Sequence, residues 1–211
     1  SVDEVAEHFR KEIEEGIAPM NVGLDENVTE GIKAGVIGEL GMTFPLHPNE
    51  EKVLRAGGKA QAMTGVGLTV HVAVFKKEAH LYLNILEEEG ANFDKIYLSH
   101  MDGSCSDIDY HMSVMDRGVI IDYDLFRNTP SNDSYKLFDG DHWVTDDERV
   151  DCIVKLCEQG YEKYLMLSQD NCLKINLKKY GGDGLDYIDR IIIPKLREKG
   201  VTEKQIRTML V

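Results

Sequence analysis

The chain has 211 residues, 42% hydrophobic and 29% charged, enough for one soluble globular domain with a sizeable core. Asp and Glu outnumber Lys and Arg by 38 to 24, a formal charge of −14 that argues against phosphate backbones and anionic lipid as partners. No run of about 18 apolar residues and no signal-peptide pattern occurs, so the sequence reads as cytoplasmic, non-membrane and without nucleic-acid partners.

In chain order, Val2 to Glu15 carries apolar residues at helical spacing and predicts an amphipathic helix. Ala34-Gly-Val-Ile-Gly-Glu-Leu40 is short, apolar and bounded by glycine, as a buried parallel strand should be. Pro48 to Thr64 predicts the next helix, with Pro48 where a first-turn proline is tolerated. Its Gly57-Gly58 pair costs about 1 kcal/mol per residue relative to alanine, which predicts a soft helix. Strands follow at Leu68–Val72, Lys95–His100, Val119–Tyr123 and Tyr164–Ser168. Helices are expected at Lys76–Glu89, Ile108–Arg117, after Thr145, at Leu185–Lys199 and at Thr202–Val211. Thr145-Asp-Asp-Glu148 is a capping box. The polar stretch from Asp124 to Val144 is too long for a simple connector and is expected to line a site.

Five strands alternating with helices mean a parallel sheet covered by helices. An open doubly wound sheet and a large part of a (β/α)8 barrel both satisfy that count. In either, the C-terminal ends of the strands open on one face, where active sites are built. Those ends carry Glu39, then His71, His100, Asp122 with Asp124, and Asp170. Imidazole nitrogens and carboxylate oxygens converging from several rigid strands are what a divalent metal ion requires.

Other motifs carry less. The four cysteines, at 105, 152, 157 and 172, form no C-x-x-C pair and read as reduced residues. Asp139-Gly-Asp-His142 lacks the glycine and glutamate of a calcium loop. His80 and His111 fall on helices and are expected to face solvent or the edge of the core. No Gly-x-Ser-x-Gly elbow supports covalent catalysis, and no phosphate-binding first loop supports a nucleotide-binding open sheet.

Gly35-Val-Ile-Gly-Glu-Leu-Gly41, Glu51-Lys-Val-Leu-Arg-Ala56, His71, Leu98-Ser-His-Met-Asp102, Leu167-Ser-Gln-Asp170 and Tyr180-Gly-Gly-Asp-Gly184 together resemble the phosphotriesterase-related branch of the amidohydrolase superfamily. The resemblance runs through nearly all of the chain, and Tyr123-Asp-Leu-Phe126 leans towards the phosphotriesterase-related proteins rather than the organophosphate-degrading enzymes. It implies a (β/α)8 TIM barrel of the metal-dependent hydrolase type with a binuclear centre of two divalent ions, zinc first, with manganese, cobalt or iron as alternatives. By that resemblance His71 and His100 hold one metal, Glu39 bridges the two, and Asp170 binds the other and serves as the catalytic proton acceptor. The reaction implied is attack of a metal-bound hydroxide on an ester, lactone, amide or phosphoester bond, with an acyl substrate favoured. Arg127, Tyr123 and Tyr180 are candidate substrate-binding residues, Arg127 through the planar fork of its guanidinium and Tyr180 by ordering the glycine loop.

The family also places a His-x-His pair on its first strand, and none of the seven histidines here forms one. The reading is therefore a single domain over residues 1–211, a partial barrel of about five βα units whose first strands lie upstream. Its partner is a small-molecule substrate, and a homodimer is a candidate assembly. The competing reading is a degenerate barrel that binds a small molecule without turnover.

Overall fold

The structure, a computed structural model, describes residues 1–17, 31–127 and 143–210. Most of the long polar stretch, with Asp139-Gly-Asp-His142, and the terminal Val211 lie outside the described residues. The elements are α1 (Val2–Glu14), β1 (Val36–Gly41), α2 (Pro48–Thr64), β2 (Gly67–His71), α3 (Ala79–Glu88), β3 (Ile96–Ser99), α4 (Ile108–Met115), β4 (Ile120–Tyr123), α5 (Asp146–Glu158), β5 (Leu165–Leu167), α6 (Ile193–Glu198) and α7 (Glu203–Leu210). The strands form a five-stranded sheet in the order β1-β2-β3-β4-β5, with β1–β2 and β4–β5 paired in parallel. Strand and helix alternate as the sequence predicts. Backbone packing groups the chain into two compact units, Ser1–Ala73 with Glu78–Leu98, and Val74–Lys77 with Ser99–Val211.

In the first unit, α1 starts at a capping box in which Ser1 Oγ accepts from the Glu4 amide at 3.2 Å. The start of α2 is less usual, because its cap is a histidine. His47 Nδ1 accepts from the Asn49 amide at 3.1 Å, and Glu50 returns the favour to the His47 amide at 3.0 Å. Gly65 closes the helix in the left-handed conformation that glycine adopts without penalty. The buried face of α2 contains Leu54, Ala56, Gly57, Gly58 and Ala60. A Cβ on Gly57 would stand 2.5 Å from Leu40 Cδ1, and one on Gly58 would stand 3.0 Å from Leu86 Cδ2. The two glycines read as a source of softness are thus the surface on which α2 closes against β1 and α3, and tight packing offsets their propensity cost.

In the second unit, the Thr145 capping box opens α5 as expected, with Thr145 Oγ1 accepting from the Glu148 amide. The helix predicted from Leu185 begins later and differently. A π turn over Ile188–Ile192 leads into α6, whose second residue is Pro194. Proline has no N–H to give an α-helical bond, so the wider turn falls directly before it. His111 corrects the expectation of a solvent-facing or core-edge histidine, since it is fully buried. No helix among the described residues is long and apolar enough to cross a membrane.

Candidate metal centre

Glu39 reaches its position through a break in the β1–β2 ladder. Ile37 pairs with Leu68 and Leu40 with Val70, so Gly38 and Glu39 together face the single residue Thr69. Such a bulge re-aims a side chain at a strand end. Gly38 has φ +125°, and a Cβ there would lie 2.5 Å from the Thr69 carbonyl oxygen, so only glycine fits. His71 closes β2, and its carbonyl accepts from the Met42 amide at 3.0 Å. The two side chains approach with His71 Nδ1 3.5 Å from Glu39 Oε2, each about two-fifths exposed.

His100 follows β3 directly and is nearly enclosed. Its backbone is left-handed, φ 63° and ψ 24°, which is costly for a residue with a side chain and persists only where surroundings over-determine it. Asp124, just past β4, does this. Both of its carboxylate oxygens accept from the His100 amide at 3.1 Å, and Oδ1 meets His100 Nδ1 at 2.8 Å. A carboxylate opposite Nδ1 fixes the proton there, so Nε2 is the nitrogen suited to a metal ion. Burial raises the Asp124 carboxyl above its ordinary range while the bonds from His100 oppose that rise.

In the first unit Glu39 and His71 offer a carboxylate oxygen and an imidazole nitrogen side by side, and in the second unit His100 offers Nε2. Two imidazoles and a carboxylate are a donor set that zinc, manganese, cobalt and iron all accept. Asp170 is not in this group. It lies three residues past β5, exposed and left-handed at φ 42°, beside a cavity of about 390 Å³ that it lines with Leu167, Leu185 and Leu210.

Of the expected substrate contacts, Tyr123 is placed elsewhere. It is wholly buried, its hydroxyl 2.8 Å from His111 Nδ1, so it is a core residue and not a substrate contact. The other imidazole nitrogen, Nε2, lies 3.0 Å from Ser104 Oγ. Burial lowers the His111 pKa to about 4, so this bridge is neutral. Arg127 donates from Nε to Asp183 at 2.6 Å, which ties it to the glycine loop, and Tyr180 is exposed with the Lys174 ammonium 4.6 Å from its ring.

Sequence reasoning missed a buried ion pair in the second unit. Asp102 accepts from Arg149 Nε at 2.5 Å and from the Leu125 amide at 3.1 Å, and both side chains are essentially inaccessible. Arg149 also donates to Asp146, which in turn accepts from the Arg127 amide. The signal was present: Arg149, Cys152, Ile153 and Leu156 occupy one helical stripe, and an arginine on an apolar stripe demands a buried partner. Asp122 adds a third buried carboxyl, bonded by Ser168 Oγ at 2.9 Å through one oxygen while the other finds no partner among the described residues. Burial, reinforced by Asp124, pushes Asp122 up to about 8, and Asp102 rises to about 6 against the pull of Arg149.

The sequence pattern of the phosphotriesterase family matches residues 1–211. The chain belongs to that family. Within the phosphotriesterase family it is 32% identical to an N-acetyltaurine hydrolase of Dictyostelium discoideum over 90% of this chain and 50% of that protein. It is 31% identical to a phosphotriesterase-related protein of Drosophila erecta over 100% of this chain and 57% of that one. The chain thus spans about half the length of the curated relatives it matches. Among solved structures, a resiniferatoxin-binding protein from Rhodobacter sphaeroides superposes on all of it with a TM-score of 0.86 at 30% identity, covering 55% of that chain. The phosphotriesterase homology protein from Escherichia coli, complexed with phosphate, gives 0.83 at 28% identity with 64% of that chain covered. The five-strand arc is therefore a partial barrel of the phosphotriesterase type.

Proposed function

We propose that Glu39, His71 and His100 hold a divalent metal ion, zinc first, as the half-site of a phosphotriesterase-family hydrolase acting on an acyl substrate. The observations that carry this reading are the approach of His71 Nδ1 to Glu39 Oε2 at 3.5 Å at the ends of β1 and β2, and the anchoring of His100 from behind by Asp124. A metal bound there supplies Lewis acidity to the bond under attack and lowers the pKa of a coordinated water. Glu39 would bridge to a second ion in the whole protein, and Asp170 would accept the proton released as water attacks. Arg127 and Tyr180 remain the proposed substrate contacts. An acyl bond is favoured over a phosphoester because relatives include an N-acetyltaurine hydrolase and a phosphotriesterase-like lactonase of Deinococcus radiodurans. Small-molecule binding without turnover is the second reading, and the likeness to a resiniferatoxin-binding protein favours it.

The test is zinc titration of the chain in competition with a chromophoric chelator. The expected result is a tight site whose affinity falls at least ten-fold in Glu39→Gln and His71→Asn; unchanged affinity in both variants would overturn the site. Assay of the zinc-loaded chain against lactones, N-acyl amides and phosphotriesters then separates hydrolysis from binding alone.

A further inference from the structure

One carboxylate in the second unit gathers more partners than its place at the start of a helix accounts for. The Thr145 capping box is completed by Glu148, which leaves Asp146, the first residue of α5, to turn elsewhere. Its Oδ1 accepts from the Arg127 amide at 2.9 Å and from Arg149 Nη1 at 3.2 Å, and its Oδ2 accepts from the Tyr187 hydroxyl at 2.8 Å. Arg127 has a left-handed backbone, φ 69°, which a residue with a side chain keeps only where its surroundings hold it. The same segment is gripped two residues earlier, where the Leu125 amide donates to Asp102, the other carboxylate that Arg149 bonds. We propose that Asp146 is a positioning residue for substrate recognition: by fixing Arg127 it places the guanidinium and, through it, the loop that carries Tyr180. This inference rests on the proposed function, since it concerns the two residues named there as substrate contacts.

The loop is built to be placed as one piece. The Gly184 amide donates to the Asn176 carbonyl at 2.9 Å and the Gly182 amide to that of Leu177 at 3.1 Å. A Cβ on Gly182 would overlap the Ile175 carbonyl oxygen, so this stretch closes tightly on itself. Leu173, Ile175 and Tyr180 are exposed, so burial of apolar surface does little to hold the loop down. Polar ties do that instead. Gln169 and Arg190 bond it from the segments that flank it in the chain, through the Gly184 and Asp183 carbonyls. Arg127 bonds it from the segment past β4, with Nε 2.6 Å from Asp183 Oδ2. With its amide oriented to donate to the Leu173 carbonyl, Asn176 also accepts from Arg127 Nη1 at 3.1 Å. Two nitrogens of one planar fork thus engage two points of the loop, and the fork imposes its own orientation on them. That orientation is set where Asp146 holds the backbone. Releasing the Arg127 amide lets the residue leave the left-handed region, which swings the guanidinium and frees the loop.

The experiment compares Asp146→Ala and Asp146→Asn with the unsubstituted chain, by hydrogen exchange and by the kinetics of the zinc-loaded chain on the acyl substrate it hydrolyses best. Asp147→Ala removes the neighbouring acid of the same helical turn, which pairs with Lys195, and serves as the control. Exchange in peptides covering residues 173–184 should quicken at least ten-fold in Asp146→Ala and less in Asp146→Asn, which keeps one acceptor oxygen. It should not change in Asp147→Ala, and β4 and β5 should stay protected throughout. KM should rise at least five-fold in Asp146→Ala with kcat within two-fold, and zinc affinity in the chelator competition should hold. Unchanged loop exchange in Asp146→Ala overturns the proposal, as does an unchanged KM, a loss of zinc affinity or a general loss of protection in β4 and β5. Absence of turnover in the unsubstituted chain overturns hydrolysis as the function, and the substrate role of Asp146 with it, while the exchange comparison still decides whether Asp146 places Arg127 and its loop.

Discussion

Asp124 illustrates how a single side chain can set the chemistry of its neighbour. It fixes the His100 backbone in a left-handed conformation, orients the ring and holds the proton on Nδ1. Asp124→Asn keeps the volume and one acceptor but loses the charge and turns an N–H₂ group towards one of the donors. Outer partners of this kind are worth about 10–100-fold in metal affinity. The expected outcome is a loss of that size in the chelator competition, with the circular dichroism spectrum retained. Equal affinity in Asp124→Asn would show that the ring is held by other contacts. Asp122 acts through its proton instead. Its carboxyl titrates near 8 in the folded state against 3.8 ordinarily, so the native chain keeps a proton that the unfolded chain releases. Stability from this group is therefore complete below about pH 4 and is lost as pH rises towards 8. His111 has the opposite sign: its pKa falls from 6.5 to about 4, so it removes stability as pH drops through that window. Between pH 6.5 and 8 the Asp122 effect stands clear of the His111 one. Urea unfolding of the metal-free chain across that window should show a decline that Asp122→Asn abolishes, and a parallel decline in the variant would remove Asp122 as its source.

At the level of elements, much was legible because period and punctuation agree. Pro48 and Gly65 bracket α2, and Thr145 with Glu148 opens α5, as local rules require. Strand ends carrying Glu39, His71 and His100 could be read because each strand is short and its apolar run stops at a polar residue. What could not be read depends on contacts distant in sequence. The Asp102–Arg149 pair spans 47 residues, and His111 meets Tyr123 across an element boundary. Nor does a sequence reveal that Gly38 and Glu39 share one partner across the ladder, since glycine in a strand reads only as weakness. The structure turns that weakness into a requirement. Gly38→Ala would place a Cβ against the Thr69 carbonyl in a conformation that side chains avoid, and backbone cannot yield as a side-chain tip can. A loss of about 1–3 kcal/mol in urea unfolding is expected, together with weakened zinc binding as Glu39 is displaced. Wild-type stability and zinc affinity in this variant would mean that the bulge does not position Glu39.

For the whole molecule, the family relation and the surface lead to one expectation. Relatives run to about twice this length, and the two end strands of the sheet, β1 and β5, each have a neighbour on one side only among the described residues. Around β1, Ile32 and Val36 are exposed, and past β5 the apolar side chains of Leu173, Ile175 and Leu185 are 61, 65 and 72% exposed. Open parallel edges next to apolar surface are templates for pairing with another chain. A second copy of this chain carries the same surfaces, so self-association is the expected outcome for the 211 residues studied alone. The charge of −14 opposes it, because like-charged copies repel. Salt should therefore strengthen the association by screening that repulsion, the reverse of what an ion-paired interface would show. Sedimentation velocity over a range of protein and salt concentrations tests both signs. Larger species should grow with each variable, and the double variant Ile175→Lys, Leu185→Lys should shift the population back towards monomer. A monodisperse monomer at every concentration and ionic strength would mean that the edges and the apolar surface past β5 are protected within a single chain.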